Sequence, residues 1–333
     1  VLDFISSSSI FYISCPAKVA TGGPELLHQL ALKLKQQGRT VYMCYSPVGL
    51  ENPVHENYVE YGLDYVSEIE DLPDNVLIVP EVKTQKIYEY KNIKTIVWWL
   101  SVDNYFKSIS GLRGRVNNFI LNKLDSQSFL FFDRNLIEAD AHLVQSHYAA
   151  EVLHKFEIIG GHRLSDFLHG SFLEEKTELV HKENIIAYNP AKGIKYTKKL
   201  MDFANDLTFV PIQNMTREQV IQLLKRAKVY IDFGNHPGKD RIPREAAYLH
   251  ACVITNKKGS ARYYQDVPIL DEYKFDGKID DLPELYKKIK DCFGNYEKNN
   301  KKFNEYREVI KNQEKEFTED SRSLFMDSLE NMQ

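Results

Sequence analysis

Val229-Tyr230-Ile231-Asp232-Phe233-Gly234-Asn235-His236-Pro237-Gly238-Lys239-Asp240-Arg241-Ile242-Pro243-Arg244-Glu245-Ala246-Ala247 is the stretch on which the reading of this chain turns. Val229–Phe233 is a short apolar run of the kind that lies buried in a parallel sheet. A loop rich in Gly and Pro follows, Arg244–His250 reads as a helix, and Cys252–Thr255 resumes as strand. Strand, helix, strand is a crossover unit, which joins parallel strands with right-handed connections. Lys239, Arg241 and Arg244 crowd the helix start, where basic side chains are unfavourable to the dipole unless an anion is present. Glu245, just inside the helix, suits that dipole and can accept from a pair of hydroxyls.

The same rhythm extends outward. Asn184–Tyr188 and Leu207–Pro211 are predicted strands, with a helix over Lys195–Ala204 between them. Thr216–Arg226 is a second helix, opened by the capping sequence Thr216-Arg217-Glu218-Gln219. The first third repeats the pattern: Ile10–Ser14, a helix over Glu25–Gln37 that Gly38 ends, then Val41–Tyr45, Val76–Pro80 and Thr95–Leu100. Ala141–Gln145 followed by Tyr148–Phe156 adds one more strand-to-helix step. The two series part near Leu164–Glu178. The expected fold is therefore α/β, with two Rossmann-like domains, 1–172 and 173–333, facing a cleft. From Asp281 the chain is charged and helix-prone, and its end is expected to pack back on the N-terminal domain.

Composition narrows the function. The chain has 333 residues, 43% of them hydrophobic and 27% charged, which suits two globular domains and excludes disorder. A net charge of −4 is too balanced for a protein dominated by nucleic acid. Cys15, Cys44, Cys252 and Cys292 contain no Cys-x-x-Cys pair, so reduced, buried thiols are expected rather than a zinc site. No apolar run reaches the ~20 residues that span a bilayer. Val1–Ile13 has no basic start and contains Asp3, so it reads as a first strand rather than a signal peptide. The first residue is not Met, which reads as a beginning inside a longer chain, and the expected location is cytoplasmic.

Three further loops follow strands. Thr21-Gly22-Gly23-Pro24-Glu25 opens a helix, where glycines let a backbone approach an anion; a plain turn with Pro at the first helical position explains it equally well. Tyr188-Asn189-Pro190-Ala191-Lys192-Gly193 sets a lysine at a strand's carboxyl end, either facing a phosphate or solvated. Lys258-Gly259-Ser260-Ala261-Arg262 is either a second phosphate cradle or a Ser helix cap.

In this order the motifs resemble the GT-B glycosyltransferases, nearest their family 4-like branch. The likeness is clearest over Asn184–Val267 and only general before Ser146. It implies a donor site for a nucleotide-diphosphate sugar. By resemblance, Lys192 would meet the diphosphate, with Asn189 counted among the donor-binding residues. Ile212, Gln213 and Met215, in the Val210–Thr216 loop, would rim the base. Glu245 would bind the ribose hydroxyls, Gly259, Ser260 and Ala261 would form a phosphate-binding helix start, and Gly22 and Gly23 would close over the diphosphate. Two departures stand out. Pro237 occupies the place of the first glutamate of the usual pair, and the usual arginine before Lys-Gly is missing. Lys239, Arg241 or Arg244 could supply that charge instead, and His236 is counted with them among the donor-binding residues.

Lys and Arg side chains and helix starts can stabilise a departing diphosphate without a metal, so neither metal nor cofactor is expected. Lys192 and Glu245 are taken as catalytic together with Asp103, the best-placed acid for a base on the acceptor side. Asp103 is equally an Asx turn or helix cap, Glu25, Glu81 and His147 are weaker alternatives, and retention against inversion stays open. The acceptor is expected to be a glycan or lipid-linked hydroxyl in surface polysaccharide synthesis. Between Glu81 and Lys123 lie eight Lys or Arg and three acids, and apolar residues recur at helical spacing. The segment 105–124 is thus expected either to pack on its own domain or to touch an anionic membrane at the inner face. An epimerase of the same fold and a non-catalytic transferase-like subunit are the alternatives.

Overall fold

The computed structural model describes residues 2–110, 139–155, 157–158, 161–173 and 181–326. The chain separates into two compact units, Val1–Asp166 with Lys315–Gln333, and Phe167–Glu314. The break thus falls at Asp166 rather than at 172, and the chain from Lys315 groups with the first unit.

In the first unit six parallel strands run β1 (Ile10–Pro16), β2 (Thr40–Ser46), β3 (Val76–Pro80), β4 (Lys94–Trp99), β5 (Ala141–Val144) and β6 (Gly161–Arg163). Their spatial order is β2-β1-β3-β4-β5-β6. The first strand begins at Ile10, not at Val1. Ser6 and Ser9 bond each other instead (Ser6 N–H to Ser9 Oγ, 3.0 Å), since serine side chains compete with ladder bonds for the backbone. Helix α1 (Gly22–Gln36) buries Leu26, Leu27, Leu30, Ala31 and Leu34, a stripe at helical spacing. Helices α2 (Val102–Ser110) and α3 (His147–Lys155) follow β4 and β5. The rest of the predicted 105–124 membrane-facing segment lies outside the described residues.

The last long helix, α10 (Asn304–Phe325), reaches the first unit with its C-terminal part. There Phe325 meets Phe11 edge-on at 5.7 Å, Phe317 lies 6.2 Å from Trp98, and the Arg39 guanidinium donates twice to the Phe325 carbonyl. Burying aromatic rings of this size contributes about 1.5–3 kcal/mol each, enough to recruit the helix end to this sheet.

The second unit holds five parallel strands, β7 (Glu183–Tyr188), β8 (Thr208–Pro211), β9 (Ala227–Asp232), β10 (Cys252–Asn256) and β11 (Lys274–Phe275), ordered β11-β10-β9-β7-β8. Its helices are α4 (Gly170–Leu173), α5 (Ile194–Phe203), α6 (Arg217–Arg226), α7 (Arg241–Tyr248), α8 (Leu282–Gly294), α9 (Tyr296–Lys301) and the first part of α10. The capping box at Thr216 and Gln219 forms as the sequence predicts. Helix α7 starts three residues earlier than expected, because Pro243 falls in its first turn, where no intrahelical N–H is needed. Lys182 clamps two helix ends: its ammonium donates to the carbonyls of Leu224, Ala227 and Leu249. All four cysteines are buried and free. Among the described residues no helix is long and apolar enough to cross a membrane.

Candidate active site

In a parallel α/β sheet the crevice for ligands opens at the carboxyl ends of the strands, where the winding reverses. In the second unit that point lies between β7 and β9: β8 flanks β7 on one side, while β9, β10 and β11 extend on the other. The loop after β7 carries Lys192, and the loop after β9 carries Gly234–Asp240.

These loops interlock. Asn189 Oδ1 accepts the Ala191 N–H at 3.0 Å, an Asx turn that presents Lys192. Gly193 has φ of 63°, and a Cβ there would stand 2.3 Å from the Phe233 carbonyl carbon. A Cβ on Gly234 would stand 2.5 Å from Lys192 Cβ. The loop after β10 closes the stack. Gly259 has φ of 54°, Ser260 N–H donates to His236 O at 2.8 Å, and Ser260 Oγ donates to Gly238 O at 2.6 Å. Asn256 Nδ2 donates to Gly234 O at 2.6 Å.

Within this frame the Lys192 ammonium sits 2.5 Å from Asp240 Oδ1. Burial pushes the Asp240 carboxyl up, but the adjoining His236 ring and the Lys192 charge outweigh it and leave it below the ordinary value. Burial raises Asp232 and keeps it raised. Asp232, His236 and Asp240 bring their oxygen and nitrogen atoms within 4.8 Å of one another. Lys192 stands against the same Asp240 carboxylate, so the ammonium and these three side chains form one buried ion network.

The remaining expected residues fall around this centre in different ways. Glu245 is buried on α7, in its second turn. Arg244 is 1% exposed and turned inward: its guanidinium donates to the Asp240 and Lys239 carbonyls and to Gln313 Oε1. It holds the loop together from below. Lys239 and Arg241 are half-buried on the loop and at the start of α7. Ile212 and Met215 are half-buried and Gln213 exposed at the carboxyl end of β8, where Ile212 N–H donates to Tyr188 O at 2.8 Å. Gly259–Arg262 is a short 3-10 turn rather than an α-helix start, with Ser260 and Ala261 buried. The reason is the left-handed Gly259 and the inward bonds of Ser260, which tie the turn to the neighbouring loop.

In the first unit the winding reverses between β1 and β3. Gly22 and Gly23 open α1 just after β1, and Thr21 makes no side-chain cap bond. Among the described residues a Cβ on Gly22 would meet nothing within 4 Å, and one on Gly23 only Leu100 Cδ1 at 3.7 Å. Across the switch, at the end of β3, Glu81 is 3% exposed and accepts the Leu100 N–H at 3.0 Å. Burial pushes its pKa up to about 8 against the pull of backbone N–H groups. Asp103, in the first turn of α2, accepts the Tyr148 hydroxyl at 2.6 Å.

Sequence reasoning missed Asp240 as the partner of Lys192, and it undervalued Glu81. Asp240 lies 48 residues from Lys192, so only the sheet order brings them together. Glu81 carried one signal, an acid directly after an apolar strand.

No family model matches the sequence, and no curated protein does. Solved structures do match. S. aureus TarM, in a complex that includes UDP, superposes with a TM-score of 0.52 at 13% identity over 78% of this chain and 57% of TarM. The present chain therefore spans little more than half the length of TarM. T4 phage BGT with its UDP-glucose substrate covers 96% of this chain and 99% of its own, at TM-score 0.52 and 11% identity. This chain has the GT-B glycosyltransferase fold. The N-terminal domain of Candida albicans trehalose-6-phosphate phosphatase shares it too, with a TM-score of 0.59 at 11% identity over 96% of this chain and 97% of that one. A GT-B fold thus sets the frame, and the residues at the strand ends must carry the chemistry.

Proposed function

We propose that this chain is a glycosyltransferase that moves a sugar from a nucleotide-diphosphate donor to a hydroxyl acceptor. The observation that carries the proposal is Lys192 at the switch point of the second sheet, on a loop rigidified by Gly193 and Gly234. A fixed ammonium there meets charge that builds on a departing diphosphate, and a preorganised cation needs no rearrangement at that moment. Lys239 and Arg241 add positive charge on the adjoining loop. Glu245 serves the ribose hydroxyls, Arg244 and the Gly259–Ala261 turn hold the loop, and the Ile212–Met215 rim borders the base. Gly22 and Gly23, which open α1, supply the helix-start backbone that meets an anion on the N-terminal side. No metal or other cofactor is required in this scheme. Asp103, oriented by the Tyr148 hydroxyl, is the base for the acceptor hydroxyl. The acceptor is a glycan or a lipid-linked saccharide, reached at the inner face of a membrane through segment 105–124.

A thermal-shift panel of nucleoside diphosphates and sugar nucleotides tests the donor site, since a ligand that binds only the folded state raises its melting temperature. Stabilisation by one nucleotide and its sugar, lost in Glu245→Ala, supports the proposal. A flat panel would sink it. Asp103→Asn should then lower transfer about 100-fold, in the range general-base removal costs, while leaving the donor-induced shift in place.

A further inference from the structure

Behind Lys192 stands a buried chain of charge. Asp240 Oδ1 holds the Lys192 ammonium at 2.5 Å, and Asp240 Oδ2 lies 2.8 Å from His236 Nδ1. The far ring nitrogen, Nε2, is 3.8 Å from Asp232 Oδ1, and among the described residues neither it nor Asp240 Oδ2 has a hydrogen-bond partner, so the ring is held by charge. Asp232 is itself anchored by the Gly234 N–H on Oδ1 and by the Tyr230 hydroxyl on Oδ2. His236 is 1% exposed. The charged groups that face its ring are Asp240 on its own loop, Asp232 on β9 and Lys192 on the loop after β7.

With the imidazole charged, two carboxylates and two cations balance. An anion that arrives at Lys192 disturbs this balance, because the ammonium must then share or leave Asp240. Were the imidazole neutral, Asp240 would stay behind as an unpaired buried carboxylate beside incoming negative charge, which is costly. An imidazolium removes that cost. We propose that His236 is a positioning residue: as an imidazolium it keeps Asp240 paired, which frees Lys192 to turn to an anion bound at the carboxyl end of the sheet. The inference rests on the reading of Lys192 as the residue that meets the donor diphosphate.

Burial opposes charge on His236, but the Asp240 carboxylate against the ring and the charge of Asp232 prevail and hold its pKa above the ordinary value. An anion at Lys192 raises it further. By linkage, anion binding then takes up protons and weakens as pH rises through the pKa of the free protein.

The test uses the full chain with UDP as the probe and pyrophosphate as a second probe that has no base. Titration calorimetry in two buffers of different ionisation enthalpy counts the protons taken up, after correction for the probe's own titration. The wild type should take up a fraction of a proton, and its Kd should rise about tenfold between roughly pH 6.5 and 8.5. His236→Gln should bind about tenfold more weakly at the acid end, with a flat profile. Adding Asp240→Asn removes the carboxylate that needs the counter-charge, so the double variant should recover affinity over His236→Gln alone, a rescue that a purely structural role does not give. If His236→Gln fails to fold, Asp240→Asn alone carries the same flat-profile expectation beside the wild-type proton count. A wild type that takes up no protons, or a His236→Gln that keeps the wild-type profile, overturns the role of His236. A Lys192→Met variant that binds both probes as well as wild type, or a wild type that binds neither, overturns the donor reading and this proposal with it. Loss of binding in Lys192→Met with an unaltered profile in His236→Gln removes only the role of His236.

Discussion

Among the described residues a Cβ added at Gly22 would meet nothing within 4 Å, while one added at Gly259 would stand 2.0 Å from the His236 carbonyl oxygen. Both glycines follow a strand at the carboxyl end of a parallel sheet. In the second unit Gly193, Gly234 and Gly259 are demanded by the chain itself, because three loops pack backbone to backbone. In the first unit Gly22 and Gly23 are not demanded by any described neighbour in their own unit. The acids at the two switch points differ in the same way. Asp240 is buried against a lysine and a histidine and stays ionised, whereas Glu81 is buried against backbone N–H groups and holds its proton to about pH 8. Similar topology thus supports a preformed ionic centre in one sheet and a neutral, open one in the other.

The contrast breaks most sharply if the glycines prove interchangeable. Gly259→Ala or Gly193→Ala adds a side chain both at positive φ and against backbone, so each should destabilise the second unit by about 3 kcal/mol or more, measured by urea unfolding. An unchanged midpoint would show that the loops are not locked.

Glu81 offers an effect of similar size with the opposite sign. Its folded pKa lies above that of the unfolded chain, so the folded state binds more protons between those values. Stability contributed by the protonated carboxyl is therefore lost as pH rises from about 4.5 towards 8. Glu81→Gln keeps an acceptor for the Leu100 N–H without the charge, and should gain roughly 3 kcal/mol at neutral pH and almost nothing near pH 4. A gain independent of pH would mean that Glu81 is ionised in the folded protein. Asp240 has its folded pKa lowered, so its contribution runs the other way, present above the unfolded carboxylate pKa and lost as pH falls.

Gly22→Ala is the smallest and most discriminating change. Stability should move by no more than about 0.5 kcal/mol, since the site has open space and lies in a helix. Affinity for the nucleotide that wins the thermal-shift panel should nevertheless fall, by about tenfold if the diphosphate approaches this backbone. Equal affinity in the variant would return the motif to a plain turn.

The order of strands and helices was legible in the sequence because apolar periodicity and turn residues are local. Exceptions include β6 and β11, edge strands of three and two residues, and the four-residue α4, too short to leave a pattern. Lys192 was legible as a lysine at a strand end, and Glu245 as an acid just inside a helix. What the sequence could not supply is who meets whom. The Lys192–Asp240 pair depends on β7 and β9 lying side by side, although β8 comes between them in the chain. Arg244 looked like a free cation and is an internal clamp, because burial forced its donors onto neighbouring carbonyls. Glu81 looked like an ordinary acid, and only its removal from water keeps it neutral. Local patterns determined the elements. Charge states and ion pairs were decided by burial and by contacts between distant segments, which exist only once the chain has folded.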